Sequence, residues 1–295
     1  MAIYNLGSIN IDNFYDVDHL PRPGETLASN DHRVGLGGKG ANQSIAAALA
    51  GATVHHIGAV GAEGAWCVDR LAKAGVKTDN VAVVNAPTGH ANICVDAAGE
   101  NMIVLFAGAN AQITDAQVAD ALKDADANDT LIMQNETVLT LEAATLARKK
   151  GLFVVYSAAP FDASRAAHML PVTDLLVVNE VEAKQLSNAL GVATDQIDVP
   201  NLLITKGAQG AVWRVGAKGQ KTDVPAFKVD PVDTTGAGDC FIGYVAAGLD
   251  QGLDIRDAMR LGAAASAIQV TRHGTADAMP NRAEVDAFLT ETGSD

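Results

Sequence analysis

Short apolar runs alternate with helical patterns through the second half of the chain. The runs cover residues 131–134, 153–157, 175–179 and 202–205. They have the length and buried composition of strands in a parallel sheet, and the segments 139–150 and 181–190 between them have helical periodicity. This alternation predicts an α/β fold in which a mostly parallel central sheet carries helices on both faces.

The first third of the chain follows a different pattern. Short β-like segments at 11–15, 32–34, 81–84, 91–95 and 102–106 interrupt the helical segments 41–50 and 64–74. We interpret them as excursions that form a small second β-layer, drawn from about 11–34 and 81–106. The expected organisation is one α/β domain spanning 1–295, with this layer closing as a lid over the strand ends where ligands bind.

Charge and composition exclude several classes of partner. The chain has 21 Lys and Arg against 35 Asp and Glu, a net charge of −14, and few aromatic residues. Nucleic acids and anionic membranes both bind preferentially to basic protein surfaces, so we expect neither as a partner. A phosphate site in this chain would have to be local, built from backbone amides, a few cations and a metal.

Three features of the sequence favour a cytoplasmic protein. Cys67, Cys94 and Cys240 are too widely spaced for a zinc or disulfide framework, which favours a reducing compartment. The N-terminus has no basic region or cleavage signal of a secretory peptide. The apolar stretch 45–60 is interrupted by glycine and histidine, so it does not predict a membrane span.

The segment 232–243 carries the strongest chemical signal. Gly236, Ala237 and Gly238 precede an apolar run that reads as a helix, so their amides and the helix dipole form an anion site. Asp239 lies at the same positive end. A carboxylate beside an anion site suggests a base that accepts a hydroxyl proton while the amides hold a migrating phosphoryl group. The alternative is an ordinary helix start with a favourable acidic residue.

Two further segments could hold a polar ligand. The glycine-rich segment 34–43 precedes an alanine-rich helix, and its Asn42 can both donate and accept hydrogen bonds. Its spacing is not that of a Walker A loop, and a simple helix-opening glycine turn is the alternative. Asp12, just after the first strand, could accept hydrogen bonds from two adjacent sugar hydroxyls, or could be a turn residue.

Three other motifs each have a structural and a functional interpretation. Asn179 and Glu182 have the spacing of a capping box, and they could also hold the water ligands of a Mg²⁺. The strand and glycine loop 203–210 could lie along a nucleotide or form a hairpin turn. The adjacent His55 and His56 would point to opposite faces of a strand, and we interpret them as structural.

The order of these motifs resembles the PfkB family of carbohydrate kinases, also called the ribokinase family, over residues 3–290. The resemblance rests on segments 7–12, 23–26, 37–43, 108–110 and 270–274, together with the Asp-Thr-Thr-Gly-Ala-Gly-Asp segment at 233–239. It implies a central sheet with helices on both faces, a small β-lid, and pairing of the lids of two subunits in a homodimer.

The resemblance also implies roles for individual residues. Asp239 would be the catalytic base facing the acceptor, and the amides of Gly236, Ala237 and Gly238 the anion hole. The residues expected to hold the sugar are Asn10, Asp12, Gly38, Lys39, Asn42 and Glu136. Those expected along the nucleotide and its water-mediated Mg²⁺ are Asn179, Glu182, Thr205, Gly207, Gly210 and Gly238. A potassium site is implied at Asp233 and Thr235, closed by backbone groups of Gln269, Arg272 and Gly274.

The activity implied is transfer of the ATP γ-phosphoryl group to a primary hydroxyl, with the 5-hydroxyl of D-ribose as the expected acceptor. Ala263, Ala278 and the segment 157–160 depart from the family pattern, which bears on nucleotide preference, potassium dependence and acceptor respectively. A nucleoside, fructose, deoxyribose or a keto-deoxy sugar acid is the alternative acceptor. A non-catalytic sugar or nucleotide sensor on the same scaffold is the remote alternative.

Overall fold

Two separate β-sheets organise the chain. The structure is a computed structural model and describes residues 1–293. The strands are β1 (Ile3–Leu6), β2 (Asn10–Val17), β3 (Asp31–Gly37), β4 (Val54–Val60), β5 (Val81–Val83), β6 (Gly89–Asp96), β7 (Asn101–Phe106), β8 (Thr130–Met133), β9 (Phe153–Ser157), β10 (Leu175–Asn179), β11 (Asn201–Thr205), β12 (Ala211–Val215) and β13 (Lys221–Val224). The α-helices are α1 (Lys39–Leu49), α2 (Ala65–Lys73), α3 (Asp115–Ala121), α4 (Thr140–Lys150), α5 (Ala163–Met169), α6 (Glu180–Leu190), α7 (Ala237–Asp250), α8 (Ile255–Gln269) and α9 (Arg282–Glu291).

The larger sheet has nine strands in the order β13-β12-β11-β10-β9-β8-β1-β4-β5. All neighbours from β5 to β11 pair in parallel, and the pairs β11–β12 and β12–β13 are antiparallel. The four apolar runs of the second half are β8 to β11, and the helical segments between them are α4 and α6. The predicted α/β architecture is therefore confirmed.

Helices cover both faces of the larger sheet because successive strand residues point to opposite sides. On β1, Ile3 packs into the apolar cluster that includes Ile45 of α1 and Tyr244 of α7. Its neighbour Tyr4 packs into the opposite cluster, which includes Ala143 of α4 and Leu186 of α6. The Ser8 carbonyl, just after β1, accepts from the Ala41 amide, so the carboxyl end of β1 lies beside the start of α1.

The smaller sheet has four strands in the order β3-β2-β6-β7. Strand β2 pairs antiparallel with β3 and parallel with β6, and β6 pairs antiparallel with β7. One expectation is wrong: β5 does not join this sheet but pairs with Gly58–Val60 of β4 at the edge of the larger one. A run of three apolar residues shows that a strand is present but not which sheet edge accepts it.

The remaining structural expectations concern histidines, cysteines and helices. His56 is fully buried and bonded to Ser44 and to the Gly7 carbonyl, whereas His55 points the other way and stacks on Tyr4. Their assignment to opposite faces of a strand is confirmed. All three cysteines are free thiols. Across residues 1–293, the helices are too short or too polar to span a lipid bilayer.

Candidate active site

Asp239 lies in the first turn of α7 and is almost fully buried, with 8% of its surface exposed. Two side chains of the neighbouring helix α1 donate to its carboxylate: Gln43 Nε2 at 2.9 Å and Asn42 Nδ2 at 3.2 Å. Burial raises the pKa of Asp239, and Lys39 together with the two amide donors opposes that rise. The structure thus holds this carboxylate between two helices, with donors fixed on one side.

Lys39, the first residue of α1, provides the positive charge of the site. Burial lowers the pKa of its ammonium group, but four carboxylates outweigh that effect and raise it above the usual value. In decreasing order of influence they are Asp239, Glu136, Glu182 and Asp12. These acids come from four separate regions of the sequence, so the fold brings most of the predicted sugar residues and Glu182 to one place.

Glu136 is fixed by the chain around the start of α1. Its Oε2 accepts hydrogen bonds from Ser8 Oγ at 2.5 Å and from the backbone amide of Lys39 at 3.0 Å. Gly38, also expected at the sugar, is the N-cap residue of α1 with a φ of 92°. The glycine segment is therefore a helix-opening turn, and it also positions Lys39 beside a carboxylate.

Asn10 and Asp12 project from β2 of the smaller sheet. Both are buried, and Asp12 lies within the strand, so the alternative of Asp12 as a turn residue is wrong. Burial and the nearby Glu136 raise the pKa of Asp12 to about 7, although Lys39 opposes them. Asn10 Oδ1 accepts a 2.8 Å hydrogen bond from Asn110 Nδ2. The smaller sheet thus contributes two polar side chains to a site that the larger sheet supports.

Asn42 retains one unused polar atom in this site. Its Nδ2 is bonded to Asp239, while its Oδ1 is buried without a hydrogen-bond partner within the described chain. A buried polar atom of this kind normally has a partner, so its lack of one is a sign of a missing ligand group. Together with Asp12, it offers acceptors to a ligand rich in hydroxyl groups.

The predicted anion hole lies at the start of α7. Gly236 is the N-cap residue with a left-handed φ of 79°, and no side chain caps this helix end. The amide of Ala237 donates to the Thr234 carbonyl at 3.2 Å, so it is engaged within its own turn. Asp239 accompanies these amides on the first helical turn. The role of the three amides in holding an anion stays a prediction.

A cavity of about 510 Å³ opens beside this helix end. A volume of this size is typical of small-molecule sites. Thr205, Gly207, Gly210 and Gly238 line it, and the loop after β11 is a hairpin turn into β12. The hairpin interpretation of that segment is confirmed, and its contact with a nucleotide stays a prediction. Sequence reasoning missed other lining residues, namely Phe227, Lys228, Phe241, Ser266 and Val270. Ala263 lies in the same lining.

Asn179 and Glu182 form the capping box that starts α6. Asn179 Oδ1 accepts from the Glu182 amide at 2.9 Å, and Glu182 Oε2 accepts from the Asn179 amide at 2.8 Å. Asn179 also pairs with Thr205 across neighbouring strands, which places this turn beside the cavity. Burial raises the pKa of Glu182, while the Asn179 amide and Lys39 oppose the rise.

The donor set around Glu182 fits a metal held through water. Within residues 1–293 there is no cluster of three or more His, Cys, Asp or Glu side chains able to enclose a metal ion. Mg²⁺ at nucleotide sites usually keeps several waters and takes only one or two carboxylates. Glu182 satisfies that description, since only its Oε2 takes part in the capping box.

The loop expected to hold potassium is closed by hydrogen bonds. The Asp233 carboxylate accepts from the amide of Thr235 at 2.9 Å and from that of Gly274 at 3.0 Å. Ligation of a cation by backbone groups of Gln269, Arg272 and Gly274 stays a prediction; the Gln269 carbonyl accepts from the Arg272 amide, and the Gln269 side chain also enters the loop. Gln269 Nε2 donates to the carbonyls of Thr235 and Gly274, and the Arg272 side chain donates to Glu284 and to the Ala278 carbonyl.

The sequence analysis assigned no role to four residues that the structure places at the site. Gln43 bonds Asp239 directly, and Gln134 Nε2 donates to Gln43 Oε1 at 2.8 Å. Ser8 and Asn110 support Glu136 and Asn10. All but Gln134 lie within segments that carried the resemblance, so their position was visible, but their partners are distant in sequence.

The comparisons with known proteins agree with this arrangement. The matching family is described as pfkB family carbohydrate kinase, and the match spans residues 3–282. The chain belongs to the pfkB family of carbohydrate kinases. A ribokinase from Haemophilus influenzae is 36% identical over 96% of this chain and 97% of its own length.

Solved structures of this family share the fold described above. A crystal structure of ribokinase from Cryptococcus neoformans in complex with ADP matches with a TM-score of 0.85 and 33% identity, covering 98% of this chain and 99% of its own. The structure of Arabidopsis thaliana ribokinase complexed with ribose and ATP also gives a TM-score of 0.85, at 26% identity and the same coverage.

Proposed function

We propose that this carbohydrate kinase transfers the γ-phosphoryl group of ATP to the primary 5-hydroxyl of D-ribose. One observation carries the proposal. The first turn of α7 lines the 510 Å³ cavity through Ala237 and Gly238, and it presents Asp239 to Asn42 on its other side. A phosphoryl donor in the cavity and an acceptor at Asn42 would therefore meet at this turn. The ribokinases with bound ADP, or with ribose and ATP, support the same assignment.

Sugar recognition is assigned to the groups around Lys39. Asp12, when ionised, accepts hydrogen bonds from two adjacent hydroxyls, and the unpartnered Asn42 Oδ1 accepts from another. Asn10, Gly38 and Glu136 complete the proposed contacts. Such a set of fixed acceptors discriminates strongly in favour of hydroxyl-bearing ligands, because a missing hydroxyl leaves a buried polar group unpaired.

Asp239 is the proposed base. It would align the acceptor hydroxyl and accept its proton late in the transfer, since a loose transition state needs little activation of the nucleophile. Gln43 and Asn42 hold the carboxylate in place before the reaction, so little reorganisation is needed. The amides of Gly236, Ala237 and Gly238 are proposed to stabilise the charge that develops on the transferred group.

The nucleotide and its metal are assigned to the other side of α7. Thr205, Gly207, Gly210 and Gly238 would contact ATP in the cavity. Asn179 and Glu182 would hold Mg²⁺ through water, and the ion would neutralise charge on the phosphates when bound. The mechanism includes no potassium ion, because the side-chain amide of Gln269 already donates hydrogen bonds to two carbonyls of the expected potassium site.

The smaller sheet is proposed to act as a lid and as a dimer contact. It carries Asn10 and Asp12, so its closure over the sugar would exclude water and favour transfer to the sugar. Strand β7 exposes the apolar side chains of Met102–Phe106, which suits pairing with a second copy. The free state of all three cysteines supports a reducing location such as the cytoplasm.

The segment after β9 is the reason to test other acceptors. Ser157 ends that strand, and the Ala159 carbonyl accepts from the amide of Asn135, next to Glu136. A change in this segment can therefore reshape the sugar side. Fructose, deoxyribose, a nucleoside and a keto-deoxy sugar acid are the acceptors to compare. A non-catalytic sensor would lack the base, and Asp239 is present.

ADP release with each acceptor tests the proposal. Purified protein with Mg²⁺ and ATP is mixed with ribose and then with each alternative acceptor. We expect the highest kcat/KM with ribose. A higher value for another acceptor would replace the substrate but keep the chemistry, and no ADP release with any acceptor would contradict a kinase function.

A further inference from the structure

The side chain of Gln269 fills the loop where related kinases are expected to bind a monovalent cation. Gln269 is the last residue of α8 and is fully buried. Its Nε2 lies 2.8 Å from the Thr235 carbonyl oxygen and 3.1 Å from that of Gly274. These two carbonyls belong to the residues that would ligate the cation. A cation in the same place would compete with this amide for both oxygens.

The orientation of this amide follows from its surroundings. Carbonyl oxygens only accept hydrogen bonds, so the NH₂ group satisfies Thr235 and Gly274 without a cation, as the structure has it. The opposite orientation would bring three oxygens together with no donor among them. The Oε1 atom of Gln269 is buried without a partner within the described chain, which is the cost of directing Nε2 into the loop.

The rest of the loop is also satisfied without a cation. Asp233 accepts from the amides of Thr235 and Gly274, and these bonds favour its ionised form. Ala278 is buried, and its methyl side chain has no oxygen with which to ligate a cation. Potassium sites in proteins are built from oxygen atoms that replace its hydration shell. Here the donor set contains a nitrogen that already serves two of those oxygens.

The loop is connected to the reacting end of α7. Thr235 directly precedes Gly236, the N-cap residue of that helix, and Gly236 packs against Thr275. Ser266 Oγ donates to the Ala237 carbonyl at 2.8 Å, so α8 is joined to the same turn at a second point. Whatever holds Thr235 against Gly274 therefore sets the position of the amides that follow.

We propose that the Gln269 side-chain amide takes the place of the monovalent cation, so that this enzyme orders its anion-binding turn without potassium. Gln269 is a positioning residue, since it acts through Thr235 and Gly274. The inference rests on the proposed function only where turnover is measured. Ion binding and thermal stability test it independently.

The first experiment compares potassium with choline chloride at constant ionic strength. We expect the wild-type kcat/KM for ribose and the Tm to be the same in both salts. Crystals soaked in rubidium should show no anomalous peak between Thr235 and Gly274. Activation of about tenfold by potassium, or a rubidium peak at this place, would overturn the proposal.

Substitutions of Gln269 separate a cation substitute from an ordinary core contact. Gln269→Ala removes the donor and opens space among the oxygens, so kcat/KM in choline should fall about tenfold or more, and potassium should restore most of it. Gln269→Met fills the space without a donor, so it should show the loss without rescue. If the kcat/KM values of Gln269→Ala and Gln269→Met responded identically to potassium, the proposal would be contradicted.

Gln117 provides a matched control. Its Nε2 also bridges two backbone carbonyls, those of Gly58 and Asn80, at 2.7 and 2.8 Å. Gln117→Ala should lower the Tm without any dependence on potassium. If Gln269→Ala does not fold, the rubidium and potassium measurements on the wild-type protein still decide the question, since both have a contradicting result.

Discussion

Four carboxylates share one ammonium group at the candidate site. Asp12, Glu136, Glu182 and Asp239 all act on Lys39, and burial raises the pKa of three of them. A cluster with this excess of negative charge is most stable when a proton, a cation or a ligand hydroxyl compensates it. The residue chemistry therefore suits a ligand that brings hydroxyl donors and a metal ion that accompanies phosphates.

The raised pKa of Asp12 predicts a specific dependence of stability on pH. Its pKa is about 7 in the folded protein against 3.8 when unperturbed, so the folded state binds more protons between these values. The free energy of unfolding should therefore fall as pH rises from about 4 to 7, by at most about 4 kcal/mol from this group. Denaturant titrations of the wild-type protein and of Asp12→Asn across this range measure it.

The test compares how the free energy of unfolding depends on pH in the wild type and in Asp12→Asn. Asp12→Asn should lose this part of the slope and become relatively more stable than the wild type at pH 8. Asp16→Asn, on the same strand but 44% exposed, serves as the control and should keep the slope. A wild-type and an Asp12→Asn protein with parallel pH profiles would show that Asp12 does not titrate near neutral pH.

At the scale of elements, the β2–β3 pair determines where the Asp12 carboxylate can lie. Asp12 is opposite Gly35, and Asn10 is opposite Gly37, in the antiparallel ladder. A Cβ atom added to Gly37 would overlap the Asp12 carboxylate, so this side chain occupies the space that a larger residue would take. The glycine on β3 thus shapes the proposed sugar site, although it offers no side chain of its own.

Gly37→Ala should damage sugar binding more than folding. The methyl group can be accommodated only if the Asp12 side chain moves away, and a displacement near 1 Å costs about 10²-fold in activity. We expect kcat/KM for ribose to fall by that factor with little change in Tm. Gly35→Ala, where the nearest atom would be Phe14 at 3.6 Å, is the control and should leave kcat/KM nearly unchanged. If both variants lowered kcat/KM by the same factor, Gly37 would have no special role at the site.

At the scale of the whole molecule, the exposed face of the smaller sheet suggests an assembly. The side chains of Met102–Phe106 on the edge strand β7 are between 39% and 59% exposed. Unpaired apolar edge strands are usually protected by charge or by a partner. In the proposed dimer, a second copy of the chain would provide such protection and place two lids against each other.

A lysine near the end of β7 tests the proposed dimer contact. We expect the wild-type protein to sediment as a dimer and Leu105→Lys as a monomer, because a charge buried in an apolar interface is strongly unfavourable. Val83→Lys, on the exposed edge of the larger sheet, is the control and should stay dimeric. A wild-type monomer at every concentration in analytical ultracentrifugation would contradict the proposed lid contact.

The sequence predicted the architecture better than it predicted the contacts. Periodicity located β8 to β11 and the helices between them, because burial on both faces leaves an unbroken apolar run. It did not show that β5 joins the larger sheet, since pairing depends on which edge is free. The order of the motifs indicated which polar residues would converge on the site.

Sequence patterns did not predict the hydrogen-bond partners of the amide side chains. Gln43 and Gln134 are bonded to each other across 91 positions, and Gln269 reaches Thr235 across 34. No local spacing reports such pairs, because their geometry depends on how α1, α7 and α8 pack. The Asp12 pKa likewise depends on Glu136 and Lys39, which only the folded chain brings near.

Turnover by Asp239→Asn tests the central claim most directly. Asparagine keeps the size of the side chain, but it cannot accept the acceptor's proton, and its NH₂ group cannot accept the hydrogen bond that one carboxylate oxygen receives from Asn42 or Gln43. We expect kcat for ribose phosphorylation to fall about 10²- to 10⁴-fold, with ribose affinity within a few-fold of the wild type. Asp257→Asn, in the first turn of α8, is the matched control and should keep normal turnover. Near-normal turnover by Asp239→Asn would contradict the assignment of Asp239 as the base.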